Sequence, residues 1–140
     1  MTKSVHYVQL PHGAEPPENV VAAPFQAVVI SDEVVSPEWR ARVSAWLVRT
    51  GCLYMCAWGT DCSDWDTSVD MANIEANCYE DIPEDGFVMT TWHENEPLAE
   101  AFWFAKNNAH HPTVAIQNTL LVHVAQVSRE KELLASFAET

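Results

Sequence analysis

The sequence predicts an α/β fold: a small Rossmann-like or flavodoxin-like three-layer sandwich around a mostly parallel sheet of four or five strands. Short apolar runs bounded by turn residues, at 25–30 (FQAVVI), 52–58 (CLYMCAW), 87–91 (FVMTT) and 119–126 (TLLVHVAQ), suit strands covered on both faces. Stretches with helical spacing lie between them, and such alternation points to helices on both sides of a parallel sheet. The chain has 140 residues, 48% apolar and 19% charged, which is enough to bury one sizeable core. We therefore read 1–140 as a single domain, with 1–24 as an N-terminal strand and proline-rich arm.

A short strand is expected at 6–10. Residues 11–24 carry Pro11, Pro16, Pro17 and Pro24 without periodicity and read as a connecting arm. After the strand at 25–30, Ser36-Pro37-Glu38 has the form of an N-cap, a first-turn proline and an early acid. Trp39, Val43, Trp46 and Leu47 then recur at helical spacing until Gly51, a natural C-cap. After the strand at 52–58, a helix is expected over 67–79, with Asp66 before it as a cap. The turn Pro83-Glu84-Asp85-Gly86 precedes the strand at 87–91. Pro97 opens a helix that packs Leu98, Ala101, Phe102 and Ala105, and His110-His111-Pro112 ends it. The strand at 119–126 leads to a last helix capped by Ser128 and carrying Leu133, Leu134 and Phe137.

The formal net charge is −13, and no Lys or Arg occurs between Arg49 and Lys106. Nucleic acid is excluded as a direct partner, because its binding relies on cationic neutralisation of phosphates. No apolar run approaches the ~20 residues needed to span a bilayer, so no membrane is expected. The N-terminus has no continuous apolar stretch, and a cytoplasmic location is the expectation. Cys52, Cys56, Cys62 and Cys78 contain no Cys-x-x-Cys spacing and read as free thiols, mostly buried.

In open parallel sheets, ligands bind beyond the carboxyl ends of the strands. The loops expected there carry Ser31, Asp32 and Glu33; then residues 59–66; then residues 91–96; then Gln126 and Ser128. Trp58, Asp61, Asp64, Trp65, Asp66, Trp92 and Glu96 are the candidate binding residues. Asp61, Asp64 and Asp66 are candidate ligands for a divalent cation, since clustered carboxylates suit Mg²⁺, Mn²⁺ or Ca²⁺. His93 and Glu94 are the candidate acid–base residues. The plainer alternative is that these acids cap helices and the tryptophans wall the loops.

Residues 64–75 place oxygen-bearing side chains as a calcium-binding EF-hand loop does. Val69 stands where that loop needs Gly, so its sharp turn is not available. Asp64-Trp65-Asp66-Thr67 resembles the Asp-x-Asp-Thr of haloacid-dehalogenase-type phosphatases, but residues 59–63 separate it from the strand. Cys62 is disfavoured as a nucleophile by its acidic surroundings. His123 reads as a mid-strand core residue, and His110 and His111 as helix-terminal.

Residues 51–62 (GCLYMCAWGTDC) and 90–98 (TTWHENEPL) are similar to segments of an uncharacterised bacterial domain family. The likeness covers most of the chain from Phe25 onward. It implies a bacterial origin and brings no catalytic residue to this chain.

Two functions remain open. One is an acidic protein-binding module, immunity- or antitoxin-like, that docks a basic partner. The other is a divalent-metal-dependent hydrolase or transferase acting on a small polar or nucleotide-like molecule at the carboxyl edge. No glycine-rich phosphate loop supports the second. A structural module without a ligand is the third, plainest alternative.

Overall fold

A computed structural model describes residues 3–140; Met1 and Thr2, the first residues of the expected arm, lie outside the described residues. The strands are β1 (Ser4–Gln9), β2 (Phe25–Ser31), β3 (Cys52–Gly59), β4 (Met89–His93) and β5 (Asn118–Val124). The helices are α1 (Pro37–Thr50), α2 (Cys62–Ala76), α3 (Leu98–Asn107) and α4 (Glu130–Glu139), with a 3₁₀ turn at Glu84–Gly86. All strand pairs are parallel, in the order β1-β5-β2-β3-β4. The α/β class and the parallel sheet follow the sequence expectation.

Side-chain alternation along the central strands divides the core into two layers. Phe25, Ala27 and Val29 of β2 face α1 and α2 with Trp39, Val43, Trp65 and Val69. Val28 and Ile30 face α3 and α4 with Phe102, Ala105, Leu133 and Phe137. β2 is buried along its whole length, as a strand covered on both faces must be.

The α1 signals hold residue by residue. Ser36 accepts a hydrogen bond from the Trp39 N–H at 3.2 Å, and Gly51 ends the helix at φ 110. A Cβ at Gly51 would stand 2.3 Å from the Ala23 Cβ, so both conformation and space demand glycine. The arm crosses α1, where the Trp39 and Trp46 indoles donate to the carbonyls of Ala14 and Pro17, each at 2.9 Å. Two long aromatic side chains are thus buried without orphaned donors.

The second helix is corrected. It begins at Cys62, not after Asp66, and ends at Ala76. Gly59 at φ 98 and Asp61 at φ 54 reverse the chain within a very short turn, closed by Thr60 N–H donating to Ser31 O at 2.8 Å. The apolar spacing that drives the earlier start is Cys62, Trp65, Val69 and Ala72, all buried on one face. Asp61 occupies the cap position without a side-chain cap bond. The other departures are small: β4 runs to His93, and Ser128 accepts from the Glu130 N–H at 3.3 Å while Arg129 is the capping residue of α4. Among the described residues no helix is long and apolar enough to cross a membrane.

Candidate functional site

The strand order makes the junction of β2 and β5 the place where connections diverge to opposite sides of the sheet. A ligand crevice is expected at the carboxyl ends of those strands. There the His123 ring, fully buried, contacts Asp32 Oδ2 through Nε2 at 2.6 Å and the Tyr7 hydroxyl through Nδ1 at 2.7 Å. The Tyr7 oxygen in turn accepts the Arg129 N–H at 3.0 Å. That donor leaves the phenol proton for His123 Nδ1 and the Nε2–H for Asp32, a tautomer inferred from the bonding pattern. The sequence marks His123 as a satisfied core residue but does not pair it with Tyr7 and Asp32.

The same edge is filled by the chain itself. Glu33 accepts from the His12 backbone N–H at 2.8 Å and from the Gln126 amide at 3.0 Å. His12 Nε2 accepts the Ser36 N–H at 3.1 Å, at the N-terminus of α1. The helix start that holds an anion in a phosphate-binding α/β fold is here met by the His12 ring and the Ser36 hydroxyl. The Tyr7–His123–Asp32 chain therefore serves best as the polar joint that seats β1 on β5.

The acid–base candidates separate. His93 is buried, with Nε2 at 3.0 Å from Thr91 Oγ1, Nδ1 at 3.1 Å from Glu96 Oε2, and its ring against Phe104. Both nitrogens are committed within the fold, while Glu94 is exposed beside it. Trp58 donates to the Glu96 carbonyl at 2.7 Å, tying the β4–α3 loop to β3.

The metal candidates do not converge. Asp61 and Asp64 are exposed and Asp66 is buried, because the stretch expected as a loop is the first turns of α2. Two positions on a helix are about 200° apart, so Asp64 and Asp66 look to opposite sides. Among the described residues no group of three or more His, Cys, Asp or Glu is placed to hold a metal ion. Trp65, expected as a binding residue, is fully buried against the Trp39 ring at 6.3 Å. Trp92 is the tryptophan among the binding candidates that stands out from the surface, 51% exposed.

Cysteine chemistry is quiet. Burial pushes the Cys52 and Cys56 thiols up to about 12, and burial together with Glu94 raises Cys62 as well. All four cysteines are free, and Cys78 is exposed.

What remains is a face along the β4 side. Glu75, Glu80, Asp81, Glu84 and Asp85 are exposed at the end of α2 and in the connection to β4, and Glu94 and Glu96 in the loop after β4. Among the described residues Glu96 is the one member of this set in an ion pair, with His93. Met71, Tyr79, Phe87, Trp92 and Trp103 are large apolar side chains exposed in the same part of the chain. Under this face Asp70 accepts the Thr90 hydroxyl at 2.7 Å. Asp66, one turn earlier on α2, has a buried Oδ2 without a hydrogen-bond partner. Burial, then the Asp70 charge, raises the Asp66 carboxyl above its ordinary range.

Comparison with curated proteins and with solved structures gives no match. A family profile does match, over residues 5–140, and its description is "domain of unknown function". The chain belongs to that family, DUF7684.

Proposed function

We propose that this domain is an acidic protein-binding module that docks a basic partner on the β4-side face. The observation that carries this reading is the exposed carboxylate set from Glu75 to Glu96, of which Glu96 alone is ion-paired among the described residues, interspersed with Tyr79, Phe87 and Trp92. Carboxylates alone serve solubility. Exposed aromatic residues among them add the large, stiff contact area that anchors protein interfaces. In an immunity- or antitoxin-like role, the partner is a basic protein held inactive by the complex. A cytoplasmic setting suits the free thiols, which a reducing compartment keeps unpaired.

Decalysine binding, followed by calorimetry at low and high salt, tests the reading. Affinity is expected to fall steeply with salt. The Glu84→Lys/Asp85→Lys variant is expected to bind about tenfold more weakly, a loss of ~1.4 kcal/mol. The Glu38→Lys/Glu139→Lys control makes the same change of charge at exposed positions on α1 and α4 and is expected to lose much less. Equal losses in the two variants would show a diffuse charge effect and no docking face.

A further inference from the structure

β4 is the outer strand of the sheet, with β3 on one side only. Among the described residues, no backbone group of residues 89–93 makes a backbone hydrogen bond outside the β3 ladder. Edge strands usually carry Lys, Pro or a bulge that blocks further pairing. Met89, Thr90, Thr91, Trp92 and His93 include no Lys or Pro, and their register with β3 runs without a shift. The edge is chemically open to another strand.

Beside that edge, α2 and β4 flank an open cleft of about 360 Å³. Ile74, Ile82 and Phe87 supply its apolar walls, and Asp70 and Thr90 part of its polar lining. Asp66, 7% exposed and with one oxygen unpartnered, sits one turn before Asp70 on α2. An apolar cleft with the Asp70 carboxylate in its lining is the complement of a Lys or Arg side chain, whose stem packs on hydrocarbon while its head seeks charge. The opposite edge, β1, has Lys3 beside it, which repels the same ligand.

We propose that the β4 edge takes an extended basic segment of the partner protein as an added parallel or antiparallel strand. One Lys or Arg of that segment enters the α2–β4 cleft and meets Asp70. Backbone pairing supplies affinity and the cleft supplies choice of side chain, the division of labour usual in strand addition. β4 spans about 17 Å at ~3.3 Å per residue, so a segment of five or six residues suffices. The inference rests on the docking reading above and names the partner's conformation and anchor.

The test uses the full chain, isotope-labelled, and a soluble hexapeptide, acetyl-Thr-Lys-Val-Lys-Val-Thr-amide. A second peptide of the same charge carries N-methyl groups on alternate amides, which removes one pairing edge. Binding of the first is expected to slow amide exchange within residues 89–93 at least tenfold. The N-methylated peptide is expected to bind at least tenfold more weakly. Asp70→Asn, which keeps an oxygen for Thr90, is expected to weaken the first peptide about tenfold, against less than threefold for Glu84→Gln. Amide exchange confirms that each variant is folded. Salt-sensitive binding that ignores N-methylation and leaves residues 89–93 unprotected would overturn strand addition while the docking reading stands. Binding of neither peptide at low salt would overturn both.

Discussion

Asp66 is 7% exposed, its Oδ2 has no hydrogen-bond partner, and Asp70 sits one helical turn along α2. Burial and that neighbouring charge both favour the protonated acid, so the folded state holds a proton that the unfolded chain releases near the ordinary value of 3.8. An acid raised in the folded state costs stability as pH climbs from its unfolded value through its folded one. Asp66→Asn removes that cost and offers an amide N–H to Asp70. The variant is expected to be more stable at pH 7 by about 1 kcal/mol, or ~3 °C at the midpoint, with a smaller fall between pH 4 and 7. Thermal melts at pH 4, 5.5 and 7 check it; a less stable variant at pH 7 means that the carboxylate is paired in solution. The sequence marks Asp66 as a helix cap because an acid before Thr is a common cap pattern. The competing signal, Cys62-Trp65-Val69 spacing, starts the helix a turn earlier and turns Asp66 inward.

β1 is joined to the sheet at the far end of the strand order and is half-exposed for most of its length. Its attachment depends on polar contacts made across the whole chain. Tyr7 meets His123 and Arg129, the Gln9 amide donates to Ala125 O at 2.8 Å, and the Leu10 N–H donates to His123 O at 2.8 Å. Tyr7→Phe orphans the buried His123 Nδ1 and the Arg129 N–H together. We expect a loss of about 2 kcal/mol, read from the urea midpoint, and faster amide exchange confined to residues 4–9. Global loosening with β1 no faster than β2 would show that the strand unfolds only with the core. The strand itself is legible in the sequence within two residues, but its seat is not. No local pattern at residues 4–9 says that the neighbour is β5.

The whole molecule carries a net charge of −13, and the stretch between Arg49 and Lys106 holds no cation to offset its carboxylates. Self-repulsion lowers the stability of so acidic a domain at low ionic strength, and salt relieves it. The thermal midpoint is expected to rise by about 3 °C, on the order of 1 kcal/mol, between 10 and 300 mM NaCl. Glu84→Lys/Asp85→Lys is expected to remove much of that salt response while leaving the core untouched. A midpoint that falls with salt would mean that ion pairs such as Arg129–Glu132 outweigh the repulsion.

The sequence by itself determined what depends on neighbours within a turn or two: the alternation of strands and helices, the Ser36 and Gly51 caps of α1, the apolar faces of α3 and α4, and the acidic stretch without Lys or Arg. Each of those signals is written in local spacing and local conformation. Tertiary structure alone decided the order β1-β5-β2-β3-β4, and with it every pairing that matters at the surface. Asp32 and His123 are 91 positions apart, and Asp70 and Thr90 are 20 apart on different elements. Strands buried on both faces look alike in sequence, so their apolar runs do not encode which neighbour each one takes. Carboxylates that share an edge of the sheet were therefore foreseeable, but which of them face one another, and which face solvent, followed only from the ladder and the helix packing.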